Sequence, residues 1–133
     1  MVKMIWRAPG DGSCMFHSVG HHVHRTAADL RRLCAEVIVK RAEDDFNGMK
    51  LKDWIQFEMQ LTVPAYVRAI QTHLWGGALE LKLLADHFHR PVLVFTSGRG
   101  MTQLTDILPE GDCSIEGPIR LLFSGNHYDA ITS

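Results

Sequence analysis

Hydrophobic and polar positions change rhythm once along this chain. From Cys14 to Phe88 apolar residues recur at three- and four-residue intervals, whereas after Pro91 they gather in short runs separated by turn-forming residues. The first rhythm predicts helices and the second strands. A short extended piece around Ile5 and Trp6 leads through Pro9-Gly10 into a first helix, roughly Cys14 to His24. Thr26 reads as the N-cap of a second helix, with Asp29 in its first turn, that runs to about Glu43 and ends before Asn47-Gly48. Two shorter helices follow. One carries Trp54, Ile55 and Phe57; the other starts near Pro64, a residue suited to a first helical turn, and carries Tyr66, Val67 and Ile70. Gly77 caps the next helix, with Glu80 reaching back to its N–H as half of a capping box and Leu81, Leu84, Ala85 and Phe88 as the buried stripe. The strands are Val92 to Phe95, Met101 to Leu104 after a Ser97-Gly98-Arg99-Gly100 turn, Ile119 to Phe123, and His127 to Ile131 after Ser124-Gly125. The fold class expected is α+β, helices packed on a small β-sheet, in a single domain over residues 1–133.

Composition narrows the function classes. A 46% hydrophobic content in 133 residues supports a folded core and excludes disorder. Fourteen basic and fifteen acidic residues, with no Lys/Arg-rich block, argue against nucleic acid as a partner. The apolar runs are too short to cross a bilayer, and the first seven residues, Met-Val-Lys-Met-Ile-Trp-Arg, lack a secretory apolar core. The expectation is a soluble cytoplasmic protein without membrane partners. Three cysteines are an odd number and do not suggest a disulfide framework. Cys34 shares a helical face with Leu30, Leu33, Val37 and Ile38 and reads as a buried small hydrophobe; Cys113, in the loop from Pro109, carries no signal.

Chemistry concentrates near the two ends. In Asp11-Gly12-Ser13-Cys14-Met15-Phe16-His17 a cysteine follows a turn and opens a helix, whose unpaired N–H groups favour an anionic sulfur. Gly12 frees the loop to take angles that turn its amides toward an oxyanion beside that sulfur. In Asn126-His127-Tyr128-Asp129, strand alternation puts His127 and Asp129 on one face, where the carboxylate can reach one ring nitrogen and leave the other for the thiol; Tyr128 points into the core. Cys14, His127 and Asp129 are thus the candidate nucleophile, base and orienter. Asp11, three residues before Cys14, competes for the orienting role or holds the loop through its own hydrogen bonds.

These segments resemble the ovarian-tumour (OTU) family of cysteine proteases, whose domain begins with Asp-Gly-x-Cys-hydrophobic-aromatic and ends with His-aromatic-Asp/Asn. Between them, Trp75-Gly76-Gly77-Ala78-Leu79-Glu80-Leu81 is similar to the family's Trp-Gly-x-x-x-Glu-hydrophobic helix start. Three motifs in the right order make a more specific signal than any one of them. The resemblance implies a deubiquitinase that hydrolyses isopeptide bonds at the C-terminal glycine of ubiquitin, polyubiquitin or a ubiquitin-like modifier, with Cys14, His127 and Asp129 as catalytic residues and no cofactor. His17 stands where the family often carries Arg, and little sequence precedes the Cys loop, which implies that elements extending the ubiquitin-binding surface of larger relatives are absent.

Other readings are set beside this one. His17 and His21, one helical turn apart with His22 and His24 nearby, invite a metal, but no third ligand stands at a metal-binding spacing. Trp75 reads as a core anchor before a helix. The run Glu43-Asp44-Asp45 is a solvated helix end or a surface for the basic tail of ubiquitin. Two rival functions remain: a ubiquitin-binding module without catalysis, and a Cys-His hydrolase or acyltransferase with a non-ubiquitin substrate.

Overall fold

The computed structural model describes residues 4–96 and 101–132. The chain divides into two compact units, Met1–Ala27 with Trp75–Ser133, and Ala28–Leu74. The expected turn at Ser97-Gly98-Arg99-Gly100 lies outside the described residues.

The first unit is built on a five-stranded sheet flanked by two helices. Strand β1 (Ile5–Trp6) is followed by helix α1 (Cys14–Val23); β4 (Val92–Thr96), β5 (Thr102–Ile107), β6 (Ile119–Ser124) and β7 (His127–Ile131) complete the sheet in the order β1-β7-β6-β4-β5. All pairs are antiparallel except β4 with β6. After β5 pairs along one side of β4, the segment 108–118 carries the chain to the other side, so β6 runs parallel to β4. Arg90, almost fully buried, braces this segment by donating from Nε to the Gly117 carbonyl at 2.7 Å. Strands β6 and β7 are joined through Gly125-Asn126, with Gly125 at φ +70° and Ser124 opposite His127. Met15, Phe16 and Val19 of α1 are fully buried, as are Val92, Ile119, Leu121 and Ala130 of the strands. Truncating a side chain such as Phe16 in such a core typically costs about 3–5 kcal/mol.

Helix α5 (Ala78–Phe88) also belongs to this unit and packs on β4 and β5. Gly77 donates its N–H to Glu80 Oε1 at 2.7 Å, the expected half of a capping box. Leu81, Leu84 and Ala85 are buried as expected, together with Leu83; Phe88 is only half-buried, under the Arg25 guanidinium at 5.9 Å from the ring centre.

The second unit holds α2 (Ala27–Arg41), a hairpin of β2 (Asp45–Phe46) and β3 (Met49–Lys50), α3 (Leu51–Met59) and α4 (Val63–Thr72). Helix α2 starts directly after Thr26 and ends two residues before the expected Glu43. Asn47 and Gly48, at φ +52° and +91°, form the hairpin turn that two left-handed residues favour. Phe46 of the hairpin packs edge-on against Trp54, with ring centres 5.1 Å apart. Thr62 caps α4 by accepting the Ala65 N–H at 3.2 Å, and at the other end buried Arg31 donates to the carbonyls of Ile70 and Leu74 at 2.8 and 2.7 Å. Cys34 is fully buried, as its helical face predicts.

The acidic run is partly neutralised by the chain's own cations. Glu43 accepts from Lys52 at 2.6 Å and lies 2.9 Å from Lys50, bonds that hold its carboxyl below the ordinary range.

Candidate functional site

Cys14 is the first residue of α1, and its sulfur accepts the backbone N–H of Tyr128 at 3.4 Å. His127 precedes Tyr128, so this contact brings the imidazole-bearing end of β7 to the start of the helix. Ser18, one turn along α1 and fully buried, strengthens the junction: its hydroxyl lies 2.8 Å from the Cys14 carbonyl and 3.1 Å from the Tyr128 carbonyl. A hydroxyl has one proton, so it donates to one of these carbonyls at a time. An i−4 hydroxyl partner for Cys14 is legible in the sequence as a serine four residues on; its second partner on β7 is not.

His127 and Asp129 share a strand face, and Asp129 Oδ1 lies 2.9 Å from His127 Nε2. With Nε2 donating to the carboxylate, Nδ1 is the ring atom left for the thiol. Asp129 is 1% exposed, against the usual solvated carboxylate of a terminal strand. Its burial is compensated: Oδ1 also accepts the Ala8 N–H at 2.8 Å, and Oδ2 lies 3.4 Å from Arg7 Nη1. Both partners come from the segment after β1, which sequence reasoning missed because a backbone N–H leaves no mark in the residue types.

Tyr128 corrects an expectation. It lies only half-buried, its ring 4.9 Å from that of Phe123, while the buried position belongs to Asp129. Burial first, and the neighbouring Cys14 second, push its phenol above its ordinary value.

Asp11 sits on the loop before Cys14 and bonds within that region. One oxygen accepts the Ser13 N–H at 3.0 Å and the other meets His17 Nε2 at 3.0 Å. The His17 bond, then the Ser13 N–H, hold its carboxyl below the ordinary range. Of the two alternatives weighed for Asp11, these bonds match the loop-holding one.

Trp75 is not the core anchor expected: it is 56% exposed. Its indole flanks the Cys loop so closely that a Cβ on Gly12, which stands at φ +84°, would lie 3.3 Å from Trp75 Nε1. A Cβ on Gly76 would collide with the Met15 side chain, so the Trp-Gly-Gly segment fits directly against the start of α1. Trp75 and Gly76 therefore match the shape of the loop and the helix start, a packing reason for that part of the motif.

The α1 histidines have separate partners. His17 pairs with Asp11, the His21 ring stacks on Trp6 at 4.6 Å, and His22 Nε2 donates to the Arg120 carbonyl at 2.9 Å. His22 is half-buried rather than on an open face, and that burial holds its imidazole below the ordinary value. Among the described residues no group of three or more His, Cys, Asp or Glu is arranged to hold a metal. Cys14, Cys34 and Cys113 are not joined in disulfides.

A family model described as OTU-like cysteine protease matches residues 9–129. The chain is 30% identical over 133 residues to OVARIAN TUMOR DOMAIN-containing deubiquitinating enzyme 4 of Arabidopsis thaliana, covering 92% of this chain and 41% of that protein. It is 31% identical over 139 residues to Deubiquitinase OTUD6B of Xenopus laevis, covering 96% of this chain and 45% of the relative. The chain thus spans less than half the length of either relative. Among solved structures, an ovarian tumour domain in complex with ubiquitin shares the fold with a TM-score of 0.69 at 20% identity, covering 98% of this chain and 69% of the other. A match that runs from the Cys loop to Asp129 takes in every motif from which the site is built, and the chain belongs to the OTU-like cysteine protease family.

Proposed function

We propose that this chain acts as a single catalytic domain, a cysteine deubiquitinase of the cytoplasm, on ubiquitin, polyubiquitin or a ubiquitin-like modifier. The observation that carries the reading is the approach of the His127–Asp129 pair to Cys14 through the Tyr128 N–H. The relatives named as deubiquitinases and the ubiquitin bound to a protein of the same fold support the substrate class. Three cysteines outside any disulfide suit a reducing compartment.

In this scheme His127 Nδ1 takes the thiol proton as Cys14 Sγ attacks the carbonyl carbon of the modifier's C-terminal glycine. Amides of the Asp11-to-Cys14 loop other than that of Ser13, which Asp11 holds, bind the oxyanion. His127 then passes its proton to the leaving lysine amine, and the C–N bond breaks to give a thioester. Water, deprotonated by His127, cleaves that thioester and releases the modifier's carboxylate and the free thiol. Asp129 holds the ring tautomer and stabilises the imidazolium. The scheme requires no cofactor.

Incubation with a panel of isopeptide-linked ubiquitin dimers tests the reading. The expected result is monomer release that disappears in Cys14→Ala. Binding of dimers without cleavage would identify a ubiquitin-binding module, and neither binding nor cleavage would point to a hydrolase or acyltransferase with another substrate.

A further inference from the structure

We propose that His17 is a positioning residue for the loop that precedes Cys14, acting through Asp11. Asp11 is the centre of a two-sided clamp. Its Oδ1 holds the Ser13 N–H, fixing the turn through Gly12, and its Oδ2 is held by His17 Nε2, both at 3.0 Å. His17 lies within the first turn of α1, and its own N–H bonds the Ser13 carbonyl at 2.8 Å, so the ring is anchored to the same residue that the carboxylate holds. The Asp11 side chain is 54% exposed while that of His17 is 25% exposed, so the more sheltered partner holds the more exposed one.

The consequence rests on the proposed function, because the loop amides matter for rate only if they face an oxyanion. A charged donor holds a carboxylate more strongly than a neutral one, so a replacement with a fixed charge separates the hold on Asp11 from the shape of the ring. The other ionisable groups on α1 or on the strands packed against it are Cys14, His21 and His22 on the helix, His127, Tyr128 and Asp129 on β7, and Arg120 on β6. With these groups so near, comparison among variants at position 17 isolates the contribution of His17. Arginine is the informative replacement: it keeps a donor and a charge that does not titrate.

The test reads loop order and catalysis in the parent, His17→Ala and His17→Arg. Amide hydrogen exchange at Ser13 needs no substrate, so it stays decisive if the ubiquitin reading fails. Exchange there is expected to quicken about tenfold in His17→Ala, as for loss of one supporting hydrogen bond, and to return toward the parent in His17→Arg. In parallel, kcat on a fluorogenic ubiquitin C-terminal amide should fall about three- to tenfold in His17→Ala with KM little changed. His17→Arg should recover that rate, because its guanidinium still donates to Asp11. Unchanged Ser13 exchange in His17→Ala would overturn the proposal. So would equal losses in both variants with matching thermal midpoints, since that would make the imidazole's shape, and not its hold on Asp11, the cause.

Discussion

The backbone N–H of Tyr128 points at the sulfur of Cys14 from 3.4 Å. This bond joins residues 114 positions apart and strengthens when the sulfur is charged. It makes the spacing of nucleophile and base a property of the β7 backbone, with the Ser18 hydroxyl as a second tie between the same helix and strand.

The orienter is tested by three substitutions. Asp129→Ala should lower kcat on the order of 10²-fold with a smaller effect on ubiquitin affinity, because the ring loses its partner while the docking surface is untouched. It should also cost about 1–3 kcal/mol in urea unfolding, since the Ala8 N–H is left buried without its acceptor. Asp129→Asn keeps an amide oxygen for these donors and should be milder on both measures. If Asp129→Ala turns over like the parent while Asp11→Ala is nearly inactive, the third catalytic group is Asp11.

Gly12→Ala should damage activity more than stability. At φ +84° an alanine is strained by roughly 1–2 kcal/mol, and its methyl would press on Trp75 Nε1 from 3.3 Å, so the loop must shift beside Cys14. Steady-state kinetics and denaturant midpoints on the same preparation check this. Parent-like kcat with a lowered midpoint would show that the Gly12 conformation serves folding alone.

Stability should carry a signature of His22. Burial depresses its imidazole below the ordinary 6.5, so the unfolded chain takes up this proton first as pH falls. The contribution is therefore complete above about pH 6.5 and is lost as pH drops through the lower folded value. Urea unfolding from pH 7.5 to pH 5, both approximate bounds, should show a steeper acid loss in the parent than in His22→Gln, whose amide can still donate to the Arg120 carbonyl. Parallel curves would contradict the assignment.

The legible parts of this protein are those fixed by local rules. The Leu81, Leu84 and Ala85 spacing of α5, the start of α4 near Pro64 and the shared face of His127 and Asp129 on β7 each report on neighbours within a few residues, and each matches the structure. The His127–Asp129 contact follows from that shared face. What was not legible depends on distant chain. Asp129 is buried where Ala8 and Arg7 arrive beside it from the segment after β1, and exposed Trp75 flanks Gly12 where Gly76 seats the backbone against Met15. The β2–β3 hairpin was available from Asn47-Gly48, but strands of two residues give no periodicity to read.

The most direct measurement is the reaction of the chain with ubiquitin carrying a C-terminal electrophile, followed by intact mass and peptide mapping. The account predicts one ubiquitin added per chain, attached at Cys14, lost in Cys14→Ala and retained in Cys34→Ala and Cys113→Ala. No adduct under conditions where free ubiquitin binds, or an adduct mapped to Cys34 or Cys113, would contradict it.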